Sequence, residues 1–212
     1  MNSKNLLVIA ATAMMFSSCA VKVGEVEQSS EAKTLDGTWA TACMADSNDS
    51  YVKSFKLEDG TLTVATIRFT GSRECEPAFQ SSTVIYSGKF AVTGDNATIE
   101  KAKNYEWTIE MVVGIPYTQS LVDGLNASTA CGSNSWAIGQ AGVILGCQIT
   151  PDFDLTNVVY STKHYGIYVI EQNATPLFMQ FESKCSVAGY DFICPTENDR
   201  PTTTDGTVYF QQ

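Results

Sequence analysis

The feature that most constrains this chain is a two-residue alternation of apolar and polar side chains that recurs along its length. Val84, Tyr86, Phe90 and Val92 share one parity of a run that also holds Gly88, while Thr83, Ser87 and Lys89 lie on the other. Tyr105, Trp107, Ile109, Met111 and Val113 repeat the pattern against Glu106, Thr108 and Glu110. Successive side chains of a strand point to opposite faces, so these runs predict half-buried strands with the aromatic set inward and Glu106 and Glu110 in solvent. Residues 51–57 and 62–69 flank Glu58-Asp59-Gly60-Thr61. Asp-Gly between alternating runs predicts a hairpin, because glycine accepts positive φ there. Similar turns at Gly94-Asp95-Asn96 and Gln172-Asn173-Ala174 pair residues 89–92 with 97–101 and 165–170 with 177–181, and residues 207–210 supply a last strand. No twelve-residue stretch after residue 34 holds a 3.6-residue apolar stripe. The fold class is therefore all-β, an antiparallel up-and-down meander, and closure into a β-barrel is favoured because it removes the edge strands. Residues 119–151 depart from the pattern, being rich in Gly, Ser and Asn. They read as a long loop tied by disulfides through Cys131 and Cys147, with strands at 135–138 and 143–149.

The first residues carry a different signal. A short polar stretch with Lys4 precedes an apolar segment of eleven residues, 6–16, and then Ser17-Ser18-Cys19-Ala20. This order is that of a secretory signal, and the segment is too short for the roughly 20 apolar residues of a membrane-spanning helix. Phe16-Ser17-Ser18-Cys19 resembles the lipobox of bacterial lipoproteins, with Phe16 where Leu is usual. The resemblance implies removal of residues 1–18, diacylglycerol on the Cys19 sulfur and acylation, as with palmitate, of the new amino terminus. It also implies a lipid-anchored protein of the bacterial cell envelope, and Ala20 in place of Asp points to the outer membrane. One acyl chain binds a membrane marginally, whereas two or three anchor stably. The competing reading is ordinary secretion, with Cys19 lost alongside the leader. Residues 19–34 are polar and charged and read as a lipidated flexible tether. Its mean reach is on the order of 20 Å, which keeps the domain of residues 35–212 close to the membrane.

Removing Lys4 with the leader leaves 12 basic against 23 acidic side chains, a formal charge of −11. Such a surface repels nucleic acid and anionic headgroups, which argues against both as direct partners. Six cysteines remain after Cys19: Cys43, Cys75, Cys131, Cys147, Cys185 and Cys194. An even set in an exported chain predicts three disulfides, one of 15 conceivable pairings. Sequential pairing, 43 with 75, 131 with 147 and 185 with 194, is the expectation. No C-x-x-C pair is present and His164 is the only histidine, so a metal site is not expected.

Leu35-Asp36-Gly37-Thr38-Trp39 resembles the Gly-x-Trp signature that opens the first strand of lipocalins, eight-stranded barrels with a ligand cavity. The resemblance implies that Gly37, Trp39 and the late Arg200 close one end of the barrel, with the guanidinium stacked on the Trp39 indole, a contact of roughly 0.5–2 kcal/mol. The family's middle motif is missing. The carboxyl end, Asp199-Arg200-Pro201-Thr202-Thr203 followed by Val208-Tyr209-Phe210, is similar to that of small bacterial lipoproteins that begin with a Gly-Thr-Trp strand.

The residues point away from an enzyme. His164 lies beside Tyr165 in a predicted strand with no activated nucleophile, and no motif assigns catalytic residues. Asp46-Ser47-Asn48-Asp49 and residues 152–157 gather oxygen atoms but lack the glycine and glutamate of a calcium loop. No phosphate loop or dinucleotide fingerprint is present, so no cofactor is implied. Two functions stand open. The first is a membrane-anchored module whose barrel mouth accepts a small apolar or amphipathic ligand, faced by Tyr86, Phe90, Tyr105, Trp107, Ile109 and Met111. The second is a surface structural or adhesion protein, in which those side chains fill a solid barrel and the loops around 119–151 meet a macromolecule.

Overall fold

The computed structural model describes residues 35–144, 163–171, 178–180, 194, 196–204 and 206–212. Its strands are β1 (Gly37–Thr41), β2 (Met44–Asp46), β3 (Asp49–Glu58), β4 (Thr61–Phe69), β5 (Gln80–Asp95), β6 (Ala102–Pro116), β7 (Gly142–Val143), β8 (Lys163–Glu171), β9 (Phe178–Gln180) and β10 (Val208–Gln211). Eight of them close an antiparallel up-and-down barrel in the order β1-β10-β9-β8-β6-β5-β4-β3, because β1 pairs with both β10 and β3. The two short strands extend the wall. β2 continues along β3 beyond the end of β1, and β7 pairs with β6 at Val113 and Gly114, past the stretch that β8 occupies.

The predicted hairpin forms between β3 and β4. Asp59 at φ 50° and Gly60 at φ 72° both take the left-handed conformation that a tight hairpin turn requires, which sets Leu57 opposite Leu62. The pairing expected for residues 89–92 is corrected. β5 runs on to Asp95 and pairs with β6, while residues 97–101 form the turn. Asn96 explains the difference, since its Oδ1 accepts from the backbone N–H groups of Thr98 and Ile99, both at 2.9 Å, and so replaces a ladder with a local turn. Of the predicted pairing of residues 165–170 with 177–181, β8 and β9 show residues 169–171 against 178–180, while 177 and 181 lie outside the described residues, and β10 overlaps the last predicted strand.

The long excursion differs from expectation in two ways. Residues 135–138 form no strand, and helix α1 (Gln119–Ala127) stands where none was predicted. α1 has nine residues, below the window in which an apolar stripe declares itself, and its buried face consists of Val122 and Leu125. Thr118 starts it by accepting the Leu121 N–H on its side-chain oxygen. Trp136 turns inward instead of lying in a strand, its indole N–H donating to Ala130 O at 3.2 Å and its carbonyl accepting from Asn126. The second expected strand is present only as β7, and residues 145–149 lie outside the described residues.

The interior is one continuous apolar core. Trp39 stacks on Phe55 with centroids 6.0 Å apart, and Phe55 meets Tyr209 edge-on at 5.3 Å. Tyr86, Phe90, Tyr105, Trp107, Ile109 and Val112 continue it, and Val122, Leu125, Ala130, Trp136 and Ile144 join from α1 and the excursion. Gly166 on β8 makes room for this packing, because the Tyr105 ring occupies the place of its absent side chain. Cys43 and Cys75 are disulfide-bonded as expected, and Cys131 and Cys194 are also disulfide-bonded. Cys147 and Cys185 lie outside the described residues.

Candidate functional site

Five of the six predicted ligand-facing residues lie inside the barrel. Tyr86, Phe90, Tyr105, Trp107 and Ile109 are all buried, with Tyr86 edge-on to Trp107 at 6.4 Å and Phe90 tilted against Tyr105 at 5.2 Å. Met111 is a correction, since it is 45 % exposed on the outer face. Ser87 pairs with Met111 and Gly88 with Ile109, so Glu110 is an extra residue in β6. A β-bulge of this kind shifts the parity by one, and Val112 takes the inward place. The side chains that alternation assigns to a ligand chamber therefore touch one another, and the barrel behaves as a packed core.

The barrel-closing set is half corrected. Gly37 opens β1 and Trp39 is fully buried, its indole N–H donating to Leu35 O at 3.1 Å. Arg200 does not stack on Trp39. Its guanidinium lies 5.2 Å over the Tyr165 ring and donates to Tyr105 O and Gly166 O, both at 2.8 Å. Arg200 thus lies on the outside of β6 and β8, where Tyr165 points, and ties the 3₁₀ turn before it to the wall. The cation recognises carbonyl oxygens and an aromatic face on the strands it crosses, and the indole inside the barrel is out of its reach.

His164 is buried and sits across from Trp107 in register, a position closed to substrate. Glu106 and Glu110 point outward as predicted and pair with Lys163 at 2.6 Å and Lys89 at 3.5 Å. The Glu106 carboxylate, by hydrogen bond and by charge, raises the Lys163 pKa above its ordinary 10.5. Asp46 and Asp49 close the β2–β3 turn, where the Asp49 carboxylate accepts from the Gly71 N–H at 2.8 Å.

A cleft of about 530 Å³ opens at one end of the barrel, lined by Thr70, Ala78, Phe79, Ser81, Thr118, Ser120, Leu121 and Gly124. One wall is a short 3₁₀ turn, Pro77–Phe79, that follows the disulfide at Cys75. Backbone bonds fix it, from Thr70 N–H to Phe79 O at 3.0 Å and from Phe79 N–H to Glu76 O at 2.9 Å. The Phe79 ring remains 42 % exposed. The opposite wall is the first turn of α1. Sequence reasoning missed these residues, because Phe79 is a lone aromatic in a loop and Thr118 precedes a helix too short to show a period. Thr118 followed by a mixed polar and apolar run was the one available signal, a helix N-cap.

No protein-family model matches the chain, and no curated protein matches it.

Proposed function

We propose that this chain is a lipid-anchored lipoprotein of the bacterial cell envelope, in which a solid barrel holds a recognition surface at its membrane-distal end. The packing of Tyr86, Phe90, Tyr105, Trp107 and Ile109 against one another carries the choice of a surface protein over a carrier, since a cargo would have to displace them. Export is supported by the cysteines. Cys43, Cys75, Cys131 and Cys194 are disulfide-bonded, which suits an oxidising compartment outside the cytoplasm.

The orientation follows from the strands. Gly37 pairs with Leu57 beside the Asp59-Gly60 turn, so the chain enters at that end of the barrel, a short tether away from Cys19. β4 leaves the same end at Thr61 and climbs nine residues to Phe69, next to Thr70 in the cleft. At about 3.3 Å per residue the two ends are on the order of 25 Å apart along the strand. The cleft and α1 then face away from the lipid, where an extracellular or periplasmic partner can reach them.

Labelled palmitate fed to cells tests the anchor. It should enter the wild type and be absent from Cys19→Ala, which should be recovered in the soluble fraction. Equal labelling of both would overturn the anchor. A photo-crosslinker placed at Ser120 should capture a defined glycan or protein on cells; recovery of a stoichiometric apolar molecule from inside the purified barrel would overturn the surface reading in favour of a carrier.

A further inference from the structure

We infer that the cleft between Phe79 and α1 is a binding site for a neutral saccharide; this rests on the reading of that barrel end as the recognition surface. Its volume of about 530 Å³ lies within the roughly 300–1,000 Å³ of small-ligand sites. Among the described residues no charged side chain lines it, although the chain carries 23 acidic and 13 basic residues. Phosphorylated, sulfated and cationic ligands would find no counter-charge there.

The hydroxyl groups in the cleft are arranged for alcohols. Thr70 O–H donates to Ser81 Oγ at 2.9 Å, and Ser81 O–H donates onward to Arg68 O at 3.3 Å. Thr70 Oγ1 has therefore spent its proton and offers lone pairs. Thr118 Oγ1 is the reverse, since it accepts the Leu121 N–H and keeps its own proton to give. One wall accepts and the other donates, and Ser120 does both. A sugar hydroxyl, which donates and accepts together, satisfies such a pair, whereas an aliphatic side chain in the same place would leave both walls unpaired.

The remaining surface suits the other half of a sugar. The Phe79 ring is exposed at the cleft, and the electron-rich face of such a ring attracts the positively polarised C–H patch of a pyranose. The turn that carries the ring is set before binding, because it is tied down by the Cys43–Cys75 disulfide and by the Thr70 and Phe79 backbone bonds. Beside it, Gly124 leaves open space, with no atom within 4 Å of where a side chain would begin. An aromatic floor, hydroxyls of both polarities and an uncharged opening together define a site for one or more neutral sugar rings.

The test uses the full-length lipoprotein in a zwitterionic detergent, free of glycoside headgroups. The probes are the methyl glycosides of glucose, galactose, mannose and N-acetylglucosamine. Saturation-transfer NMR should show at least one of them receiving saturation on a single C–H face, with millimolar affinity. Phe79→Ala should weaken that affinity about tenfold or more. Gly124→Leu fills the opening from an exposed helical position, so it should abolish binding while leaving the unfolding transition in place. The proposal is overturned if no probe binds below about 50 mM, or if binding survives Gly124→Leu unchanged. Palmitate incorporation is measured on the same preparation. Loss of saccharide binding with labelling intact removes the ligand class and leaves the anchored surface protein standing.

Discussion

Trp107→Ala tests whether the barrel is a packed core or a ligand chamber. Trp107 is 1 % exposed on β6, between Tyr105 and Ile109 on the same face, with the Tyr86 ring edge-on to it. Neighbouring strands flank β5 and β6 on both sides and hold them in the closed ring, so the walls cannot collapse far into the space left behind. A residual void on the order of 100 Å³, at about 24 cal/mol per Å³, adds about 2.4 kcal/mol to the lost transfer energy, and large aromatic truncations in cores cost about 3–5 kcal/mol in total. With a urea dependence of about 2 kcal/mol per M, the unfolding midpoint should fall by about 1.5–2.5 M. Far-UV circular dichroism of the full chain, with disulfides intact, measures it. A second readout is rescue: an apolar solute the size of benzene should stabilise the variant and leave the parent unaffected, since a void lined by apolar groups stays dry and accepts such a molecule. A midpoint loss worth less than about 1 kcal/mol would mean that Trp107 lines open space, and the argument for a solid barrel would fail.

Three further outcomes follow from named contacts. Replacing both Cys43 and Cys75 by serine opens a link spanning 32 residues, and the chain-entropy cost predicts a loss of about 3.7 kcal/mol in urea or calorimetric unfolding. No loss would mean that the Phe79 turn is held by its hydrogen bonds alone. Arg200→Met removes the Nη1 group that donates to both Tyr105 O and Gly166 O, at a cost of about 1.5–3 kcal/mol to stability. Unchanged stability would show that residues 196–204 do not depend on Arg200. Glu106→Gln should lower the Lys163 pKa toward 10.5, as followed by side-chain NMR. Because that pKa is raised in the folded protein, the stability that the lysine shift contributes is lost on the alkaline side, as the pH rises from the unfolded value through the folded one. An identical Lys163 titration in both proteins would show the ion pair to be absent in solution.

Much of the barrel was legible because a strand writes its two faces into consecutive residues. The alternation at 84–92 and 105–109 names the inward side chains, and Asp59-Gly60 names a turn that only left-handed backbone can make. The reading broke where a local pattern met a local exception. One extra residue at Glu110 reversed the parity of everything after it and sent Met111 outward. Asn96 captured two backbone N–H groups and turned an expected strand into a loop. α1 escaped notice because two buried residues on nine do not make a stripe.

The sequence by itself determined most of the strand faces and the acidic composition, since each depends on neighbours along the chain or on residue counts, and the order of the cysteines suggested the Cys43–Cys75 bond. Tertiary structure alone decided that β1 closes the ring by pairing with both β3 and β10. It also decided that Arg200 serves the outer wall instead of Trp39, that the interior is filled by its own aromatics, and that Phe79 faces Thr118 across a cleft. These are contacts between residues far apart in sequence, such as Arg200 with Tyr105 and Thr70 with Ser120 across one opening. Their geometry is set by how the sheet curls on itself, and no periodicity along the chain encodes it.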